Sequence, residues 1–231
     1  MTKIYIIADN IISSLGFDTQ QNIEKIAAMK TGVSCHFDTQ IYPTPVWISK
    51  VDNQDLSTAS KQLCQPQKYT RLEQLFLLSI TDALQQSSID IVSKETLIIL
   101  ASTKGNIDLL EFKNQDKFPS ERVNLGSMAK EIQDYFQNPN TPLVVCNACI
   151  SGVLALDVAK RLLRKGKYKN IIVAGGDIVS EFTLSGFQCF KAMSDAPCKP
   201  YDKNRVGINL GEGVGTIILS TEKPSNQATI I

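Results

Sequence analysis

The sequence predicts an α/β fold in which a mixed sheet is covered by helices on both faces. Three observations carry that reading. Short β-branched runs alternate with helical patterns along almost the whole chain; the run "TLIILAS" (96–102) is apolar enough for a strand buried on both sides; and the strongest helical segment, "TRLEQLFLLSITDALQQ" (70–86), carries a broad apolar face that needs a sheet to pack on.

Taken in order, "KIYIIA" (3–8) reads as a first strand and "TQQNIEKIAAMK" (19–30) as a helix, capped by Thr19 or Asp18, with Ile23, Ile26 and Ala27 on one face. "VWISKV" (46–51) is a weaker strand. In the 70–86 helix Thr70 can cap and Glu73 follows three residues later, the spacing of a capping box, while Leu72, Leu75, Phe76, Leu78 and Ala83 form the apolar face. After the 96–102 strand come a helix at 125–136, a strand "PLVVC" (142–146), a helix after Cys149, a strand "NIIVAGG" (170–176) and a closing, hairpin-like "VGTIILS" (214–220). No repeat, low-complexity tract or linker interrupts the pattern, so residues 1–231 are read as one domain.

Composition narrows the function classes. Of 231 residues 43% are hydrophobic, and 24 basic side chains face 23 acidic ones, a balance that argues against nucleic acid as the partner. No apolar run approaches the roughly 18–20 residues needed to cross a bilayer, and Asp9 interrupts the opening "MTKIYIIADN" before a secretory core could form; no membrane association and a cytoplasmic location are the expectation. The six cysteines lack the density of a disulfide scaffold and are expected to stay reduced, most of them packed in apolar or mixed surroundings.

Two of them stand three apart in "VVCNACISGVLAL" (144–156). A structural zinc site would need four ligands, but there is one histidine, His36, and no second cysteine pair, so no metal is expected. A redox pair and two inert core thiols remain open readings. A nucleophile is favoured at Cys149, which falls between the end of a strand and the start of a helix, where unpaired N–H groups and the positive end of the helix dipole favour a thiolate. Ser151 and Gly152 keep the first helical turn small enough for another group to approach the sulfur, and the helix is apolar on most sides in its first turns. Cys146, still on the strand, is expected to pack in the core.

Six segments in order resemble the β-ketoacyl-ACP synthase family, the elongating condensing enzymes of fatty acid and polyketide synthesis. They are "IYIIADNIISSLGFDTQQNIEKIAAMKTGV", "LIILASTKGNIDLL", "NACISG", "RLLRKGKYKNIIVAGGD", "SGFQCFKAMS" and "CKPYDKNRVGINLGEGVGTIIL". The resemblance implies the thiolase-like fold, specifically its amino-terminal half, a βαβαβαββ unit with a mixed sheet between two helical layers. It implies that Cys149 carries the acyl chain as a thioester, that Phe187 lines the substrate pocket, and that Lys68 and Arg71 meet an acyl carrier protein. The strand over 141–146 would pair across a two-fold axis in a homodimer or a ketosynthase-like heterodimer. No cofactor is implied. The basic run Arg161, Arg164, Lys165, Lys167 and Lys169 is read as favourable charge at a helix C-terminus.

Every matched segment belongs to the first half of the family's chain, so the carboxy-terminal half is read as absent. That half supplies the family's two catalytic histidines, its buried lysine and one of two oxyanion-hole donors, and His36, after the first helix in "VSCHFD", is not placed to replace them. The function expected is decarboxylative condensation of an acyl-enzyme with malonyl-ACP, with this chain supplying the nucleophile and inactive alone. A non-catalytic partner or scaffold of the same fold is the alternative, and a small redox or metal protein using the cysteine pair is the third.

Overall fold

Within the run read as a strand at 96–102, the strand Thr96–Ala101 is buried at all six of its positions because it lies inside a six-stranded sheet between two helical layers. The computed structural model describes residues 2–37, 44–114, 117–223 and 229–230. In chain order its elements are β1 (Tyr5–Ser13), α1 (Thr19–Ala27), β2 (Val33–His36), β3 (Val46–Ser49), α2 (Asn53–Ser60), α3 (Arg71–Gln85), β4 (Thr96–Ala101), α4 (Leu125–Phe136), β5 (Leu143–Val145), α5 (Ser151–Arg164), β6 (Asn170–Asp177), α6 (Glu181–Cys189), β7 (Leu210–Gly211), β8 (Gly213–Ser220) and β9 (Thr229–Ile230).

The large sheet has the order β5-β4-β6-β8-β1-β9. β4 pairs in parallel with β5 and β6, whereas β8 runs antiparallel to both β6 and β1. The path β1-α3-β4-α4-β5-α5-β6-β8 is therefore the βαβαβαββ unit. Alternation along β4 shows how both faces fill: Ile98 and Leu100 join Leu72, Leu75 and Phe76 of α3 and Met128 and Ile132 of α4, while Leu97, Ile99 and Ala101 join Ala155, Ala159 and Leu163 of α5. Each fully buried Leu, Ile or Phe stabilises the fold by about 1.5–3 kcal/mol relative to exposure. The 70–86 helix starts as read, with Thr70 accepting from the Glu73 N–H and Glu73 accepting from the Thr70 N–H.

Several elements depart from the sequence reading. "VGTIILS" is not the arm of a local hairpin; it inserts as β8 between two strands distant in sequence. Asp9 does not end the first strand, which runs on to Ser13, because Asp9 accepts a 2.6 Å bond from Thr19 Oγ1. In α1 the apolar Ile23 and Ile26 are exposed, and the buried residue is Asn22, whose amide donates to the carbonyls of Ile11, Gly16 and Asp18. A polar anchor, rather than the apolar stripe, docks that helix. β3 forms within the strand read at 46–51, with Val46 and Ile48 buried on one face, but its partners β2 and β7 and the helices α2 and α6 were not read; α2 has a single buried apolar residue, Leu56, and is fixed by its Asp52 cap.

Candidate active site around Cys149

β5 ends at Val145 and α5 begins at Ser151, and the five residues between them form a doubly braced turn. The Asn147 carbonyl accepts from the Ile150 N–H at 3.2 Å and the Ala148 carbonyl from the Ser151 N–H at 3.3 Å. Ser151, almost fully buried, accepts from the Asn147 N–H and donates to the Ala148 carbonyl, both at 2.8 Å. Ala148 is held at φ +45°, the left-handed region that costs a non-glycine residue about 1 kcal/mol or more. The turn thus lifts Cys149 out of the strand direction and leaves its side chain exposed just ahead of the helix. A Cβ on Gly152 would meet nothing within 4 Å, so the space beside the first helical turn is open.

Cys149 faces a cleft of about 840 Å³. Its origin is in the layering. Among the described residues α5 packs chiefly over β4, β5 and β6 and less over β1 and β8, whose Ile6 and Ile217 edge the same apolar cluster. Ile6 and Ile11 of β1, Ile217 of β8, Val153 and Leu156 of α5 and Phe187 of α6 form apolar walls. Ile150 and Val153 stay 56% and 72% exposed, unusual for apolar residues in the first turn of a helix whose Ala155 and Ala159 are wholly buried. Thr103, Lys104 and Asp177 form the polar side of the cleft. Gly176 lets β6 and β8 close here: a Cβ on it would stand 2.5 Å from the Gly213 carbonyl oxygen and from a Val214 methyl. Gly175 and Gly176 lie within the strand read at 170–176, paired with Gly215 and Val214 of β8.

Of the residues singled out in sequence, Cys149 and Phe187 line this one cleft. Lys68 is exposed, at the end of a short 3-10 turn (Pro66–Lys68). Arg71 is engaged within the fold instead. Its guanidinium is 2.7 Å from the Glu212 carboxylate and also donates to Asn53 and the Val51 carbonyl, which leaves it mostly covered. His36 lies in the small sheet, bonded at 2.9 Å to Ser34 and outside the cleft lining; burial and Lys50 hold its pKa below the usual value. Cys146 is not a core residue. It is exposed, with its Sγ 3.6 Å from the Thr103 carbonyl, because β5 is an edge strand with little above its last residue. Cys35, Cys64 and Cys189 are exposed too, against the expectation of packed thiols. Among the described residues no cluster of side chains could hold a metal ion, and no helix is long and apolar enough to cross a membrane.

Buried charges around the site went unread in sequence. Glu212, nearly inaccessible, accepts from the Val51 N–H at 3.0 Å as well as from Arg71, and so ties the loop before β8 to α3. Glu73 pairs with Arg122 and accepts from Asn106, whose amide also donates to the Arg122 carbonyl. Burial pushes the Glu73 carboxyl upward against the opposing pull of Thr70, Arg122 and Asn106. The available signal was a carboxylate set in otherwise apolar or glycine-rich runs, which needs a partner if the run is buried.

Comparison with known proteins agrees with this architecture. The chain matches the family "Beta-ketoacyl synthase, N-terminal domain" over residues 3–225. It is 34% identical over 110 residues to 3-oxoacyl-[acyl-carrier-protein] synthase 2 of Rhizobium meliloti, covering 44% of this chain and 25% of that one. It is 28% identical over 159 residues to the enzyme of the same name from Vibrio harveyi, covering 59% and 38%. A ketosynthase solved in complex with its chain length factor from Xenorhabdus doucetiae superimposes with a TM-score of 0.80 at 18% identity, covering 96% of this chain and 59% of that one. A β-ketoacyl synthase from Burkholderia phymatum gives 0.75 at 17% identity, covering 95% and 59%. The chain thus spans well under two thirds of these relatives, and it has the thiolase-like fold they share. The chain belongs to the β-ketoacyl synthase family, as its amino-terminal domain.

Proposed function

We propose that this chain supplies the nucleophile half of a condensing enzyme of fatty acid or polyketide synthesis, with Cys149 as the acyl acceptor. The observation that carries the reading is the strained, Ser151-braced turn that presents Cys149 to a largely apolar cleft shared with Phe187. The Cys149 thiolate attacks the carbonyl carbon of an acyl-carrier thioester, the carbon–sulfur bond to the carrier breaks, and the carrier leaves as its thiol; the Cys149 N–H helps to hold the tetrahedral oxyanion. Malonyl-carrier then loses carbon dioxide, its carbanion attacks the acyl carbon, and the Cys149 sulfur departs. Lys68, exposed and away from the cleft, is the candidate contact for the acidic carrier protein.

The part of β1 and β8 that α5 covers least, with Ile150 and Val153 exposed beside it, is the candidate place where a carboxy-terminal half would dock. It would narrow the cleft and bring the residues that drive decarboxylation. Co-expression with a carboxy-terminal ketosynthase half tests this: condensation of acyl-ACP with malonyl-ACP should appear only in the pair, and binding of a hydrophobic dye should fall. A dye-negative, monomeric 231-residue chain that gains nothing from the second half contradicts the proposal.

A further inference from the structure

Asp177 ends β6 at the cleft, and its carboxylate is a hub for one loop. Oδ1 accepts from Ser102 Oγ at 2.7 Å and from the Thr103 N–H at 3.0 Å, and Oδ2 accepts from Thr103 Oγ1 at 2.9 Å. Ser102 Oγ in turn accepts from the Gly105 N–H at 3.0 Å. Among the described residues no cation pairs with Asp177, so a full charge at the cleft is held by neutral donors that all come from the segment following β4. That segment puts Thr103 and Lys104 into the cleft lining beside Cys149, and its Thr103 carbonyl receives the Cys146 thiol at the base of the Cys149 turn. Hydrogen bonds to a charged acceptor are about twice as strong as neutral ones, so a single side chain fixes where this wall stands.

We infer that Asp177 is a positioning residue that sets the Thr103–Lys104 wall of the cleft, and through it the acyl chains that Cys149 accepts. The inference rests on the acyl-acceptor reading of Cys149. Asp177 makes no contact with the reacting sulfur; it acts on selectivity by holding a wall, as the closure of a binding site on a mobile loop would otherwise blur discrimination between chain lengths.

The test pairs the 231-residue chain with a carboxy-terminal ketosynthase half and compares it with Asp177→Ala and Asp177→Asn in the same pairing, using acetyl and octanoyl N-acetylcysteamine thioesters as acyl donors. In Asp177→Ala the amides of residues 103–105 should exchange hydrogen about tenfold faster and Cys146 should be alkylated severalfold faster, since a charge-assisted anchor is lost. The ratio of octanoyl to acetyl transfer onto Cys149 should move by about fivefold or more, while iodoacetamide alkylation of Cys149 stays within about twofold. Asp177→Asn, which retains one acceptor, should fall between. If Asp177→Ala does not fold, Thr103→Val removes one donor and should move the same readouts in the same direction. Unchanged exchange at 103–105 overturns the strut, and faster exchange with an unchanged transfer ratio overturns the role in selectivity. Failure of the paired parent chain to acylate Cys149 overturns the acyl-acceptor reading and the selectivity role with it, and leaves the exchange result as a separate measure of the strut.

Discussion

Arg71 and Glu212 meet 2.7 Å apart across 141 positions of sequence, at the junction where the loop before β8 crosses the N-terminus of α3. Glu212 is almost fully covered and Arg71 largely so, and Glu212 also holds the Val51 N–H at the end of the small sheet. Removing the cation would leave a carboxylate buried without its partner. Arg71→Ala should destabilise the chain by about 3 kcal/mol, and Arg71→Ala with Glu212→Gln by clearly less, because the second change removes the stranded charge. Urea melts of the two variants and of Glu212→Gln close the cycle; a double variant whose loss equals the sum of the two single losses would show that the pair adds nothing.

Asp108 makes stability depend on pH in a direction opposite to that of a salt-bridged acid. It is buried, its Oδ1 has no partner among the described residues, and burial, reinforced by Glu111, raises its pKa from 3.8 to about 6. Between those values the folded chain holds a proton that the unfolded chain has released, so this group's contribution falls as pH rises from about 4 to 6 and then levels. Asp108→Asn should therefore match the parent near pH 4 and exceed it by up to about 2–3 kcal/mol at pH 7. Thermal melts at the two pH values check it. A variant less stable than the parent at pH 7 would contradict the assignment.

Among the described residues β5 is an outer strand of the large sheet with no partner on one side, three residues long with Leu143 exposed at 40%. Such an edge offers unpaired N–H and C=O groups to another strand, and the proposed partner is a second copy or a ketosynthase-like subunit. Leu143→Lys places a charge where edge strands use one to refuse pairing, and should lower the mass of the chain measured by size-exclusion chromatography with light scattering relative to the parent. An unaltered mass would show that this edge is not a pairing surface.

The large sheet was legible in sequence because β4 and β6 are continuous apolar runs and α3 carries both its cap and its stripe. The order of the strands was not, since pairing of β8 with β1 and β6 depends on contacts between residues 36 or more positions apart. For α1, periodicity pointed to Ile23 and Ile26, whereas three bonds from Asn22 to backbone carbonyls decide its docking. Cys149 and Phe187 were found from local motifs and share a cleft, but the pairing of Arg71 was missed: charge at a helix start looks free in sequence and gives no sign of a carboxylate far down the chain. Asp177 was hidden for the same reason, its donors lying more than 70 residues away.

Exposure does not single out Cys149, since Cys35, Cys64, Cys146 and Cys189 are exposed as well. Only the turn at Ala148 and the apolar cleft distinguish it, so the decisive measurement is acylation rather than alkylation. The chain, paired with a carboxy-terminal half, is to be incubated with octanoyl-ACP and digested for mass mapping of all six cysteines. A single octanoyl adduct on Cys149 is expected, lost in Cys149→Ser and discharged as β-ketoacyl-ACP when malonyl-ACP is added. Octanoyl spread over several cysteines, or an adduct that persists in Cys149→Ser, would show that Cys149 is not the acyl acceptor.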